Sequence, residues 1–377
     1  MMSRNSLRWL PAIVVPVVVV GAVIAVPLQA GAAVDLPDKT SEQVLLLMNG
    51  STVSAFSGTV AQSADLGLPS LDLGAGMGAV APADPSTAAL STALELLSGS
   101  HDFRVYAAGE NQSRVQIKDR MNERNVVHNG SDVWLYDSNS NAATHVNLPP
   151  DLSSTAEEKF AELQAQLPTE LSTPAELAQR FLAELDPTTT VSVGTDARVA
   201  GRSVYRLVLT PKTADTLVAS VAIAVDSETG LPLQVTVLAQ GQSTPAFQVG
   251  FTVIDFAVPD AALFDFVPPA GATVTEQNLP TKSDSPAGEG AVGHPDDHSA
   301  AGAEMPSITG TGWSSIMEVP ATAVPAELGD NPMIDQLTTA VEGGRALTTS
   351  LVTVFLSADG RVFAGAVPLA LLQAAAE

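Results

Sequence analysis

The chain has 377 residues, enough for one large or two modest domains with a sizeable core. Its 17 Lys and Arg stand against 41 Asp and Glu, and the net charge of −24 repels nucleic-acid phosphates and anionic lipid headgroups. Cysteine is absent, which excludes thiol catalysis, disulfides, Cys-based zinc sites and lipidation on an N-terminal cysteine.

Arg4 and Arg8 open the chain, and no charge follows from Trp9 to Val34. Ala30-Gly31-Ala32 offers an A-x-A cleavage site, while Pro11, Pro16 and Pro27 interrupt a continuous helix. Residues 1–33 read as a signal peptide, with an uncleaved signal anchor as the competing reading. Either one puts the remainder outside the cytoplasm, and membrane contact then runs only through an uncleaved N-terminus.

Thr40 and Gln43 form a capping box ahead of "VLLLMN", and Gly50 is a C-terminal stop, so a helix is expected here. "SAFSGTVAQ" (54–62) reads as a strand and residues 64–85 as a long loop. A short helix is expected over 87–97 and another over 154–167, with Phe160, Leu163 and Leu167 on one side. A third starts at Thr173-Pro174 with Phe181 in its apolar stripe.

The middle of the chain alternates with period two. "RVQIKD" sets Val115 and Ile117 against Arg114, Gln116 and Lys118. Tyr205, Leu207 and Leu209 share a face; so do Val221, Ile223 and Val225; Leu233, Val235 and Val237; and Phe247, Val249, Phe251 and Val253. "DSETG" (226–230) is a hairpin turn. About eight or nine antiparallel strands with one apolar face curl into a barrel or a bent sheet. With helices over its open side, the shape is a container.

Residues 281–306 are a disordered acidic linker of low complexity. Residues 307–377 form a small module. "GWSSIMEVPA" reads as a strand, "NPMIDQLTTAVEG" as a helix, "RALTTSLVTVFLSADGRVFAGAV" as a hairpin turning at Asp359-Gly360, and "PLALLQAAA" as a terminal helix.

Little here points to chemistry. His101, His128 and His145 fall on separate strands or turns, and His294 and His298 in "HPDDH" belong to the acidic linker. No nucleophile elbow, zincin motif, P-loop or dinucleotide fingerprint occurs. No catalytic residue, metal site or cofactor is assigned, and the expectation is a protein that is not an enzyme. The sequons at Asn49, Asn111 and Asn129 are read as chance matches.

"NGSDVWLYDSNSNAATHVNLP" (129–149) resembles the signature hairpin of LolA-type lipoprotein carriers and of the related RseB/MucB N-terminal domain, and the long loop at 64–85 with the C-terminal module looks like their actinobacterial branch. "VYRLVLTPK" (204–212), "DSETGLPLQVTV" (226–237) and "PDAALFDFVPPAGATVTE" (259–276) resemble further blocks of that superfamily, in order. The family's Arg-Pro pair has no counterpart in "FRVYAAGENQSRV".

The resemblance implies an α+β, mainly β fold over residues 34–280: an unclosed antiparallel barrel with lid helices over a cavity for acyl chains. The more apolar face of each strand supplies the expected cavity lining. It comprises Phe56, Phe103, Val115, Ile117, Trp134, Tyr136, Leu207, Leu209, Val221, Ile223, Val235, Val237, Phe247, Val249 and Phe251. Phe160, Leu163 and Phe181 are the expected lid residues. For Trp134 and Tyr136, an ordinary place in the core is the competing reading. The implied partner is a lipid or an acylated protein, held by a carrier or acceptor. The alternative is a tethered, RseB-like envelope sensor docking on a membrane protein.

Overall fold

The computed structural model describes residues 34–67, 99–118, 122–148, 187–278, 306–324 and 332–377. The leader, the expected helices over 87–97, 154–167 and from 173, and nearly all of the linker lie outside these residues. So do Phe160, Leu163 and Phe181.

Among the described residues one helix precedes the sheet. In α1 (Ser41–Asn49) the Thr40 hydroxyl accepts from Gln43 N–H and the Gln43 side chain accepts from Thr40 N–H, closing the capping box. The strands are β1 (Ala55–Ala64), β2 (Gly99–Ala108), β3 (Gln112–Lys118), β4 (Glu123–Asn129), β5 (Asp132–Asp137), β6 (Ala142–Asn147), β7 (Thr189–Val193), β8 (Ala197–Val199), β9 (Arg202–Pro211), β10 (Val218–Asp226), β11 (Pro232–Ala239), β12 (Phe247–Asp255) and β13 (Thr273–Asn278). All thirteen join one sheet in the order β13-β6-β5-β4-β3-β2-β1-β12-β11-β10-β9-β7, with β8 on β9. β13 and β7 do not pair with each other, so the expected unclosed barrel is what the chain forms. β13 is the exception to the antiparallel rule and runs parallel to β6.

A second sheet holds β14 (Ser307–Thr309), β15 (Ile316–Val319), β16 (Thr339–Val341), β17 (Gly344–Thr348), β18 (Thr353–Ser357) and β19 (Val362–Gly365). Among the described residues two helices accompany it, α2 (Pro332–Leu337) and α3 (Leu369–Ala376). α3 buries Leu372 against Phe355, Phe363 and Ile316.

Three local expectations change here. "GWSS" is a 3₁₀ turn, and the strand starts only at Ile316. The helix over "NPMIDQLTTAVEG" stops at Leu337: the Thr338 hydroxyl donates back to Ile334 O at 2.6 Å, and the β-branched run after it pairs with β17. "RALTTSLVTVFLS" contains a turn of its own, because Thr349 Oγ1 accepts from Val352 N–H at 2.9 Å and splits the run into β17 and β18. The turn at Asp359-Gly360 stands between β18 and β19 as expected.

α1 packs on the face of the large sheet formed by β7, β9 and β10. Val44 is fully buried against Tyr205, Leu207 and Val225. Leu36 N–H donates to Asp196 Oδ2 and the Tyr205 hydroxyl to Pro37 O, which ties down the lead-in. The C-terminal end of α1 lies over the β10–β11 turn. Gly230 there has φ of 75°, and a Cβ on it would sit 2.0 Å from Leu47 O. Only glycine fits both the conformation and the approach.

Candidate functional site

The face of the large sheet that carries α1 is its inner face, and register settles which side chains share it. Directly opposed residues point the same way. Leu209, Val221, Val237 and Phe247 form one row across β9 to β12, and Leu207, Ile223, Val235 and Val249 form the next. Across β2 to β5 the rows are Phe103, Ile117, Arg124 and Asp137, then Val105, Val115, Val126 and Leu135. Phe56 opposes Ala107, two residues along β2 from Val105, and belongs to the same face. Phe251 opposes Val60 beside a bulge and meets Phe56 edge to face at 5.8 Å. Gly58 makes room for it, since a Cβ there would lie 2.8 Å from the Phe251 ring.

Trp134 and Tyr136 do not share this face. They oppose Val127 and Asn125, whereas Val126 opposes Leu135. The β5 strand is apolar on both sides, with Val133 and Leu135 on one and the aromatics on the other. Following the larger side chains picks the outer face. There the segment 256–272 crosses the sheet as a strap. Phe266 lies 5.5 Å from Trp134 and 5.7 Å from Tyr136, and Phe264 is buried. Arg114 donates to Leu263 O at 3.0 Å and Asn129 to Asp265 Oδ1 at 3.2 Å. The two aromatics are the floor under the strap.

Much of the inner face is filled by the protein itself. The smaller sheet seats Trp313, Leu351, Val352 and Ala366 on the rim made by the ends of β1, β10 and β12. This closes a cluster with Phe103, Ile117, Leu209, Val221, Val237, Phe247, Val249 and Phe251. Trp313 Nε1 donates to Thr189 Oγ1 at 2.8 Å in a buried setting, and Leu217 N–H donates to Ala366 O at 2.8 Å. Leu207 and Ile223 lie under α1. Among the described residues, what stays open is the middle of β3 to β5. Val115 is 37% exposed, Val126 43% and Leu135 42%. They are consecutive cross-strand partners, so the three make one continuous apolar strip. The ion pair Arg124–Asp137, 3.4 Å apart, borders it in the neighbouring row.

Of the expected lining, Val115 is therefore the one that joins the open strip. Val126 and Leu135 were missed, although strict alternation from Val115 and the turn at Gly130 carries the parity to them. The histidines are not brought together. His128 Nε2 lies 2.8 Å from Gly130 O, and His145 sits on the outer face between Asp132 and Glu276. Among the described residues no group of three or more His, Cys, Asp or Glu side chains is placed to hold a metal ion. No helix among them is long and apolar enough to cross a membrane.

A family model described as "Predicted periplasmic protein (DUF2092)" matches residues 88–276, half of the 377-residue chain. The chain belongs to this family, and the protein is extracytoplasmic. No curated protein matches it. Among solved structures it is similar to MucB in complex with MucA(peri), with 13% identity over 88% of this chain and 96% of that one and a TM-score of 0.43. It is similar to the Pseudomonas aeruginosa MucA/MucB complex, with 13% identity, 89% and 96% coverage and a TM-score of 0.41. A LolA superfamily protein from Nitrosomonas europaea shows 11% identity, 61% and 99% coverage and a TM-score of 0.22.

Proposed function

We propose that this DUF2092 protein binds the acyl chain of a lipid or an acylated protein on the inner face of β3 to β5, outside the cytoplasm. The observation that carries the reading is the exposed strip Val115, Val126 and Leu135, which continues a face buried elsewhere under the protein's own side chains. Elsewhere on that face α1 and the smaller sheet have already taken the place a guest would occupy. With strands about 4.8 Å apart, the row from Val105 to Leu135 runs about 14 Å across the sheet. Each methylene laid on it leaves water with a gain of about 0.8 kcal/mol. Such a site needs aliphatic side chains and few directional contacts.

The test is titration of the full chain with a fluorescent fatty acid. Leu135→Asp places a charge in the strip and is expected to weaken binding by about tenfold or more. Trp134→Phe, on the outer face, is expected to leave affinity unchanged. A wild-type protein that binds no such probe, or a Leu135→Asp variant that binds equally well, would end this reading.

A second reading, a tethered sensor docking on a membrane protein, draws on Ile308 and Met317. These are cross-strand partners at the edge of the smaller sheet, 44% and 42% exposed. It is checked by hydrogen exchange of residues 307–309 and 316–319 with and without envelope membranes. Protection gained only with membranes supports docking, and unchanged exchange counts against it.

A further inference from the structure

Asp132, His145 and Glu276 lie side by side on three neighbouring strands of the outer face, β5, β6 and β13. His145 Nε2 is 2.8 Å from Asp132 Oδ1, and its Nδ1 is 2.7 Å from Glu276 Oε2. A neutral imidazole carries one N–H and donates to one carboxylate; only the imidazolium donates to both. The ring lies flat on Trp134, with centroids 4.2 Å apart and planes 11° from parallel, and this holds both nitrogens in line. β13 is an edge strand paired on one side only. Its residues are exposed, Val274 at 44% included, so it has little buried core to anchor it. Glu276 supplies its side-chain tie to the sheet.

We infer that the Asp132–His145–Glu276 bridge is a pH-operated latch on β13, closed while His145 keeps its second proton and released when that proton is lost. β13 ends the strap that crosses Trp134 and Tyr136, so the latch decides how firmly the end of that strap is held. Among the described residues, the charged groups bonded to the imidazole are both acidic, Asp132 from β5 and Glu276 from β13. Asp265 of the strap stands further off and bonds Asn129, which opposes Asp132. Trp134 and Phe266, the rings packed nearest, carry no charge.

Burial of the ring opposes its charge, but the hydrogen bonds to Asp132 and Glu276 outweigh it and hold the imidazole pKa above its ordinary value. A raised folded-state pKa means the tie is complete below the pKa of a free histidine. It is lost as pH rises through the folded value.

The test is an NMR titration of His145 in the full chain, with hydrogen exchange of residues 273–278, corrected for intrinsic rates, from about pH 5.5 to about pH 8.5. Protection of β13 is expected to fall through the His145 midpoint. A midpoint one pH unit above that of a free histidine corresponds to about a tenfold loss. Glu276→Gln, at an exposed position, is expected to lower the midpoint, and His145→Gln to leave protection low and flat with pH. If His145→Gln does not fold, the Glu276→Gln titration decides. A His145 that titrates at the ordinary histidine value, or β13 protection unchanged across the midpoint, would overturn the latch.

Discussion

Asp226 shows how much one side chain can organise. It closes β10, is 1% exposed, and accepts two hydrogen bonds from Arg202 at 2.8 Å each and two more from Thr229. Arg202 in turn caps the Phe256 ring at 4.9 Å and reaches Glu228. Burial pushes the carboxyl pKa up, but the bonds from Arg202 and Thr229 outweigh it and hold Asp226 below the usual carboxylate range. A lowered folded pKa adds stability that is present above the unfolded value and lost as pH falls through the folded one. Asp226→Asn leaves the guanidinium without its buried counter-charge and is expected to cost about 3 kcal/mol at neutral pH. Urea unfolding should show the gap between wild type and variant closing as pH falls through the Asp226 titration. A gap of constant size from neutral to acid pH would count against this account.

Among the elements, α1 is the clearest case of local chemistry serving long-range packing. Its nine residues form too short a helix to persist alone, so the cap and the buried Val44 both matter. Thr40→Ala removes one half of the capping box and is expected to cost about 1 kcal/mol, read from the denaturation midpoint. It should also raise hydrogen exchange over residues 41–49 before any other part of the large sheet responds. β5 shows the opposite relation. Its side chains suit either face, and only the pairing with β4 and β6 assigns Leu135 to the inner face and Trp134 to the outer.

At the scale of the molecule, the two sheets are joined through the rim where Trp313 and Leu351 enter the core of the larger one. The join combines apolar burial with backbone bonds, Leu217 N–H to Ala366 O and Ser350 N–H to Leu66 O, both at 2.8 Å. Trp313→Ala removes the largest side chain of that seam and its bond to Thr189, a loss of about 3 kcal/mol or more. Calorimetry is expected to resolve two transitions in the variant where the wild type shows a more concerted one. A single, merely lowered transition would show that the sheets stay coupled without Trp313.

What was legible from the sequence is what depends on neighbours along the chain. The Thr40–Gln43 box, the Asp226–Gly230 turn and the alternation in β9 to β12 follow from hydrogen-bond reach and from the two-residue period of a strand. They suffice for an open, mainly antiparallel sheet with one oily face in an acidic, exported, cysteine-free protein. The placing of Trp134 and Tyr136 under the strap, the parallel seat of β13 and the filling of the rim by Trp313 were decided only by tertiary structure. Each depends on partners more than a hundred residues away, where a pattern read along the chain has no access to the register or volume that selects one face over the other. Among the described residues, the open strip at Val115, Val126 and Leu135 is what remains of the inner face after those distant choices are made.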